Sequence, residues 1–111
     1  MWKRRNFRSF KRVVYMKKRI LLLGYSGKIG FAIKNVFEES YEIVGFNSRD
    51  FDAEKIDSIE NIIVSNPADI IINAVAFLGI DPCDAEPEKA FKINTLFPKR
   101  LAEISKKNWS L

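Results

Sequence analysis

Three glycines at fixed spacing carry the strongest chemical signal: Gly24, Gly27 and Gly30 in Gly24-Tyr25-Ser26-Gly27-Lys28-Ile29-Gly30. A glycine directly after a strand permits a sharp turn. The second admits a pyrophosphate to backbone N–H groups with no Cβ in the way, and the third lets the next helix sit close to the sheet. The N-terminus of that helix would add free N–H donors and the positive end of its dipole. Ser26 and Lys28 stand in the same turn and can also reach a phosphate; a solvated lysine and a ligand-free turn are the plain alternatives. The GxxxxGK[ST] spacing of a Walker loop is absent.

About 20 residues after such a glycine motif, an acidic residue would bond a ribose 2′-OH and favour NAD. This chain instead has Phe46-Asn47-Ser48-Arg49. Asn47 and Ser48 can donate hydrogen bonds, and Arg49 can pair with a 2′-phosphate, which tilts the expectation toward NADP over NAD. An exposed loop arginine is the alternative. Without a histidine, and with Cys83 as the one cysteine, the sequence excludes a His-based triad, a His-rich metal site and an internal disulfide. Cys83 reads as a packed or incidental loop thiol, and no metal is expected.

The elements that must position these residues follow from hydrophobic periodicity. Arg19–Leu23, Tyr41–Phe46 and Asp69–Ala74 read as strands, and Asp50-Phe51-Asp52 as a possible short fourth. Helical spacing of apolar residues marks Lys28–Glu39 (Ile29, Ala32, Ile33, Val36, Phe37) and a second helix through Ile56, Ile59, Ile62 and Ile63. Phe77–Glu86 reads as a loop. Pro87 opens a long helix to Lys107, with a kink or break at Pro98. Apolar strands alternating with amphipathic helices predict an α/β fold: a partial Rossmann-like parallel sheet of three to four strands with flanking helices, stopping before the second half.

The 111 residues suffice for one domain, with 47% hydrophobic and 30% charged residues as in ordinary globular proteins. The longest apolar runs, Ala74–Leu78 and Ile20–Leu23, are far short of the ~20 residues of a membrane span. A cytoplasmic protein is the expectation. The net charge of +5 is uneven: residues 1–15 hold six basic residues and no acidic one, against thirteen basic and fourteen acidic in residues 16–111. Residues 1–15 are therefore read as a basic arm, disordered or an extension, and residues 16–111 as the domain. With Trp2, Phe7 and Phe10 interleaved, the arm could instead touch a polyanion or act in targeting.

Gly24–Gly30, Asp50-Phe51-Asp52, Pro67–Ala76, Ile80-Asp81, Glu86-Pro87-Glu88 and Ile93-Asn94 together resemble the N-terminal part of extended short-chain dehydrogenase/reductases. The chain is most similar to the dTDP-4-dehydrorhamnose reductases and related sugar-nucleotide reductases. That resemblance implies cofactor contacts at Gly24, Tyr25, Ser26, Gly27, Lys28, Ile29 and Gly30, with Gly27, Lys28 and Ile29 lining the pyrophosphate. Asn47, Ser48 and Arg49 would read the ribose. An acidic–apolar pair would meet the adenine, with Asp50-Phe51 and Asp52 both candidates. Asn73 and Ala74 would also bind the cofactor, and Ala76, Phe77 and Leu78 would border its riboses, although the family often has hydroxyl-bearing residues at the last two positions. Asn94 corresponds to an asparagine that supports a proton-relay water, or is simply bonded to nearby backbone. Ile80 and Asp81 fall where the substrate side begins.

The catalytic YxxxK of that family is absent from this sequence: Tyr15, Tyr25 and Tyr41 are followed four residues on by Arg19, Ile29 and Gly45. The resemblance therefore implies the NAD(P)-binding portion of an oxidoreductase that reduces a nucleotide-linked 4-keto sugar, inactive alone. The rival is a non-catalytic dinucleotide-binding or regulatory partner subunit, like the reductase-fold regulatory subunit of methionine adenosyltransferase. Expected partners are the dinucleotide, a nucleotide sugar in the complete enzyme, and a missing C-terminal segment or a second copy; no specific nucleic acid is expected. A further strand beside Asp69–Ala74 would have to come from elsewhere, which predicts an open apolar edge and a marginal, aggregation-prone chain, either a truncated product or one awaiting a partner segment.

Overall fold

The computed structural model describes residues 17–109. The basic arm of residues 1–15, and with it every expectation attached to the arm, lies outside the described residues.

Three parallel strands form one sheet in the order β2-β1-β3, with β1 (Arg19–Leu23) central, β2 (Glu42–Phe46) and β3 (Ile70–Asn73). The register sets Leu21 between Val44 and Ile71, and Leu22 between Gly45 and Ile72. Strand β1 is buried on both faces because both of its neighbours and both layers of helices cover it, which is why its run is apolar without alternation. Arg19 ties the lower ends together. Its N–H donates to Asp69 Oδ2 at 2.8 Å, and its guanidinium reaches the Pro67 carbonyl (3.1 Å) and Glu42 (3.3 Å).

Helix α1 (Lys28–Phe37) follows β1 on the face of Ile20, Leu22 and Ile43. The opposite face is closed by a 3-10 turn (Ile56–Ile59), α2 (Glu60–Ser65) and α5 (Phe97–Trp109). Leu21 and Leu23 meet Ile59, Ile63, Phe97, Leu101 and Ile104 there in one buried cluster. Arg100 fastens α5 to the preceding turn and α2 through Asp57 (3.1 Å) and Glu60 (3.3 Å), with Glu103 at 3.5 Å. Its pKa is raised: partial desolvation works against the charge, but the bonds and attraction of Asp57, Glu103 and Glu60 outweigh it.

Three expectations are corrected. Asp50–Asp52 adds no strand, because Asp50 closes a turn onto Asn47 (Asn47 N–H to Asp50 Oδ2, 2.9 Å; Asp50 N–H to Asn47 O, 2.9 Å). Asp52 N–H then bonds Ser58 Oγ at 3.0 Å, so this backbone is spent on local bonds rather than on a ladder. Phe77–Glu86 is not all loop: Gly79, at φ +107°, turns the chain into α3 (Ile80–Ala85). Pro82 is tolerated there because the first-turn N–H groups of a helix have no internal partner. The long helix after Pro87 is interrupted one turn before Pro98. It runs as α4 (Pro87–Phe91), a π-turn (Lys92–Leu96) and α5, with the Phe97 N–H donating to Lys92 O. Pro98 has no N–H for the Asn94 carbonyl and its ring would crowd that oxygen, so the backbone widens ahead of it.

Helix α1 differs from its sequence pattern in another way. Gly30 is its one buried residue, whereas Ile29 and Val36 stand 67% and 70% exposed.

Candidate functional site

All three strands point their C-terminal ends at one cavity of about 400 Å³. Each strand end supplies one wall. After β1, Gly24 takes φ +83°, and a Cβ there would press on the Ala74 carbonyl carbon and oxygen at 3.1 and 3.2 Å. Only glycine fits this turn. Gly30 is required for a different reason, since a Cβ would collide with the Gly24 carbonyl oxygen and lie 2.7 Å from Tyr25 Cα. The two outer glycines of the motif thus serve the fold.

Gly27 does not. Its φ of −78° and ψ of 174° are open to any residue, and an added Cβ would meet a single neighbour, Gly24 O, at an ordinary 3.6 Å. It is the N-cap of α1, with no side-chain capping bond and no acidic residue in the first turn. The first-turn N–H groups of Lys28, Ile29 and Gly30 are therefore left without an intrahelical or side-chain partner beside the cavity.

After β2, Asn47 and Ser48 line the second wall, where Asn47 Oδ1 accepts the Arg49 N–H at 2.9 Å. Phe51 forms the floor; it is 7% exposed and stacks on Phe97 with ring centroids 5.6 Å apart and planes 2° from parallel. That stack joins the cavity to the core. Of the two acidic candidates, Asp52 lines the cavity together with Ala53, while the Asp50 carboxylate is committed to the turn. After β3, Ala74, Val75 and Ala76 make the third wall.

The same motif and cavity accompany clear relatedness. The family described as the RmlD substrate binding domain matches residues 17–110. The chain belongs to this family. A dTDP-4-dehydrorhamnose reductase of Aggregatibacter actinomycetemcomitans is 28% identical over 89 residues, which is 78% of this chain and 30% of that protein. Among solved structures, the dTDP-4-dehydrorhamnose reductase of Bacillus anthracis in complex with NADP superposes with a TM-score of 0.75 at 25% identity, covering 83% of this chain and 33% of that one. A hypothetical dTDP-4-dehydrorhamnose reductase from Sulfolobus tokodaii gives 0.74 at 28% identity, with 80% and 35% covered. This RmlD-family chain therefore spans about a third of the length of its relatives.

Of the residues singled out in the sequence, Gly24, Ser26, Gly27, Asn47, Ser48, Phe51, Asp52, Ala74 and Ala76 converge on the cavity. Lys28, Ile29 and Gly30 stand at its edge through the first turn of α1. Tyr25 turns away and lies on Gly45 of β2, where a Cβ would come within 2.8 Å of the ring. Arg49 and Asp50 belong to the rim turn, and Asn73 uses its Oδ1 to accept the Val75 N–H at 3.1 Å. Leu78 is 76% exposed beyond the cavity.

The Asn94 side chain is bonded to nearby backbone. Its amide makes two 2.9 Å bonds to Phe77, Oδ1 accepting the N–H and Nδ2 donating to the carbonyl, and so fixes the segment after β3. Lys89 adds a cation over the Phe77 ring, 4.8 Å from its centroid. Sequence reasoning missed Ala53, Val75 and Ile93 as lining residues. Val75 lay inside a quoted motif, and Ile93 was legible as a buried helix position; neither has a side chain that signals chemistry. Among the described residues no acidic, cysteine or histidine cluster could hold a metal, and no helix is long and apolar enough to cross a membrane.

Proposed function

We propose that the cavity holds the adenosine–pyrophosphate part of NADP(H) or NAD(H), and that the chain is the dinucleotide-binding portion of a reductase acting on a nucleotide-linked 4-keto sugar in the cytoplasm. The observation that carries this reading is Gly27: packing and backbone leave room for a side chain there, so the glycine answers to something outside the fold. A pyrophosphate laid against the open first turn of α1 is that something. In the Bacillus anthracis relative the structure contains NADP.

The residues divide the work by position. The Gly27, Lys28 and Ile29 backbone takes the pyrophosphate, and Asn47 and Ser48 take the adenosine ribose. Arg49, one residue beyond the cavity wall, pairs with a 2′-phosphate by swinging over the rim. Asp52 and Ala53 border the adenine, and Ala74 to Ala76 border the second ribose, with Asn94 holding the Phe77 backbone behind them. A bound nicotinamide would supply a hydride to the keto carbon. Protonation of the resulting oxygen calls for a tyrosine–lysine pair that these 111 residues do not contain in YxxxK form, so the chain alone is expected not to turn over.

Titration with NADP⁺ and NAD⁺ tests the reading. Saturable binding of both, with NADP⁺ tighter and the difference lost in Arg49→Ala, is the expected result. No binding of either would overturn it. The rival is a non-catalytic dinucleotide-binding partner subunit of the same fold. NADPH consumption with 4-keto sugar nucleotides by an assembly containing this chain and a YxxxK-bearing segment would decide against that rival.

A further inference from the structure

Among the described residues, Asp52 is the one charged side chain that lines the cavity. Its backbone is gripped by a single hydroxyl. Asp52 N–H donates to Ser58 Oγ at 3.0 Å, and the Ser58 hydroxyl donates in turn to the Asp52 carbonyl at 2.8 Å. The carboxylate is held as well, since Oδ1 accepts the Glu54 N–H at 2.9 Å. Among the described residues nothing bonds Oδ2, so one carboxylate oxygen remains for a ligand.

The serine is not spent on routine turn chemistry. Serine hydroxyls usually bond backbone within four residues of themselves, whereas Ser58 reaches back six. Lys55, not Ser58, stands at the N-cap of the 3-10 turn. That turn is itself anchored. Ile59 is fully buried, and Asp57 and Glu60 are gripped by Arg100 of α5 at 3.1 and 3.3 Å. The Phe51–Phe97 stack ties the residue before Asp52 to the same helix. Ser58 therefore connects a wall of the cavity to a fixed point of the core.

We propose that Ser58 is a positioning residue for base recognition: by clamping Asp52 it sets the free carboxylate oxygen where it accepts the exocyclic amino group of an adenine. The inference rests on the reading of the cavity as a dinucleotide site, and goes beyond it in naming what selects the base. Adenine presents an N–H donor where hypoxanthine presents a carbonyl oxygen, which a carboxylate repels. The nearest donor of hypoxanthine, N1–H, lies one ring atom away, and a clamped carboxylate cannot follow it. Without the hydroxyl, the Asp52 N–H loses its partner and the carboxylate can shift toward N1–H. Selectivity for the base then falls further than affinity for the dinucleotide.

The test is calorimetric titration of the full 111-residue chain with NADP⁺ and with nicotinamide hypoxanthine dinucleotide phosphate. The wild type is expected to bind NADP⁺ about tenfold or more tighter than the hypoxanthine analogue. Ser58→Ala should lower that ratio to roughly twofold, with the circular dichroism of a folded chain retained. In the ligand-free variant the Asp52 amide should exchange about tenfold faster. Ser58→Thr keeps the hydroxyl and should keep the wild-type ratio. Ser58→Cys, close in size but a weak hydrogen-bonding group, should lower the ratio as alanine does. A serine that served stability alone would weaken both dinucleotides equally. A ratio unchanged in Ser58→Ala and Ser58→Cys, or a wild type without preference, would overturn the proposal and leave the cavity reading intact. Failure of the wild type to bind either dinucleotide would overturn both.

Discussion

The two faces of one three-stranded sheet have been finished to different degrees. On the α5 side, Leu21 and Leu23 are sealed under Ile59, Ile63, Phe97, Leu101 and Ile104. On the α1 side, Ile20 and Leu22 are buried, yet Ile29, Val36 and Ile70 remain open. Both faces carry the same kind of apolar pattern in sequence. A periodic stripe states that a face needs cover; it does not state that the cover is in the same chain. The closed face holds the fold together and floors the cavity through the Phe51–Phe97 stack, while the open face leaves Ile29, Val36 and Ile70 exposed among the described residues.

Substitutions can break this contrast. Phe97→Ala removes a fully buried ring from the closed face and should cost about 3–5 kcal/mol, enough to unfold a body this small in thermal or urea melts. Gly30→Ala forces a Cβ into the Gly24 carbonyl and should cost about 1–3 kcal/mol, with α1 displaced from the cavity. Asn94→Ala loses two bonds to Phe77 and should cost about 1–2 kcal/mol, read most directly as faster amide exchange at Phe77. Ile29→Ser and Val36→Ser on the open face should shift stability by no more than about 0.5 kcal/mol, while reducing the chain's tendency to aggregate. A large destabilisation from either serine variant would mean that these side chains are buried in solution.

Much of this was legible in the sequence. Strands Arg19–Leu23 and Ile70–Asn73 stand out as apolar runs, which burial on both faces explains for the first but not for the half-buried second, and the glycine spacing located the turn they flank. Alternating apolar strands and amphipathic helices pointed to parallel pairing, and the observed order is β2-β1-β3. What escaped was set by local polar bonds and tertiary fit. Asp50 and Asp52 look like strand ends until their carboxylates are seen bonding Asn47 and Glu54 N–H groups. Helix α3 hides behind Gly79 and Pro82, two residues that read as loop. Periodicity in α1 could not tell Gly30, which touches the turn, from Ile29, which faces outward. Within the motif, the three glycines were already legible as having different tasks, and the fold needs Gly24 for the turn and Gly30 for close packing while leaving Gly27 free.

Gly27 gives the most direct measurement. Wild-type and Gly27→Ala chains, ¹⁵N-labelled, are titrated with NADP⁺ while amide shifts are followed and their melting temperatures compared. The account predicts saturable shifts at Gly27, Lys28, Ile29 and Gly30 in the wild type. In Gly27→Ala it predicts about tenfold weaker binding at an unchanged melting temperature. Equal affinity in the two chains, or wild-type shifts scattered away from this turn, would contradict it.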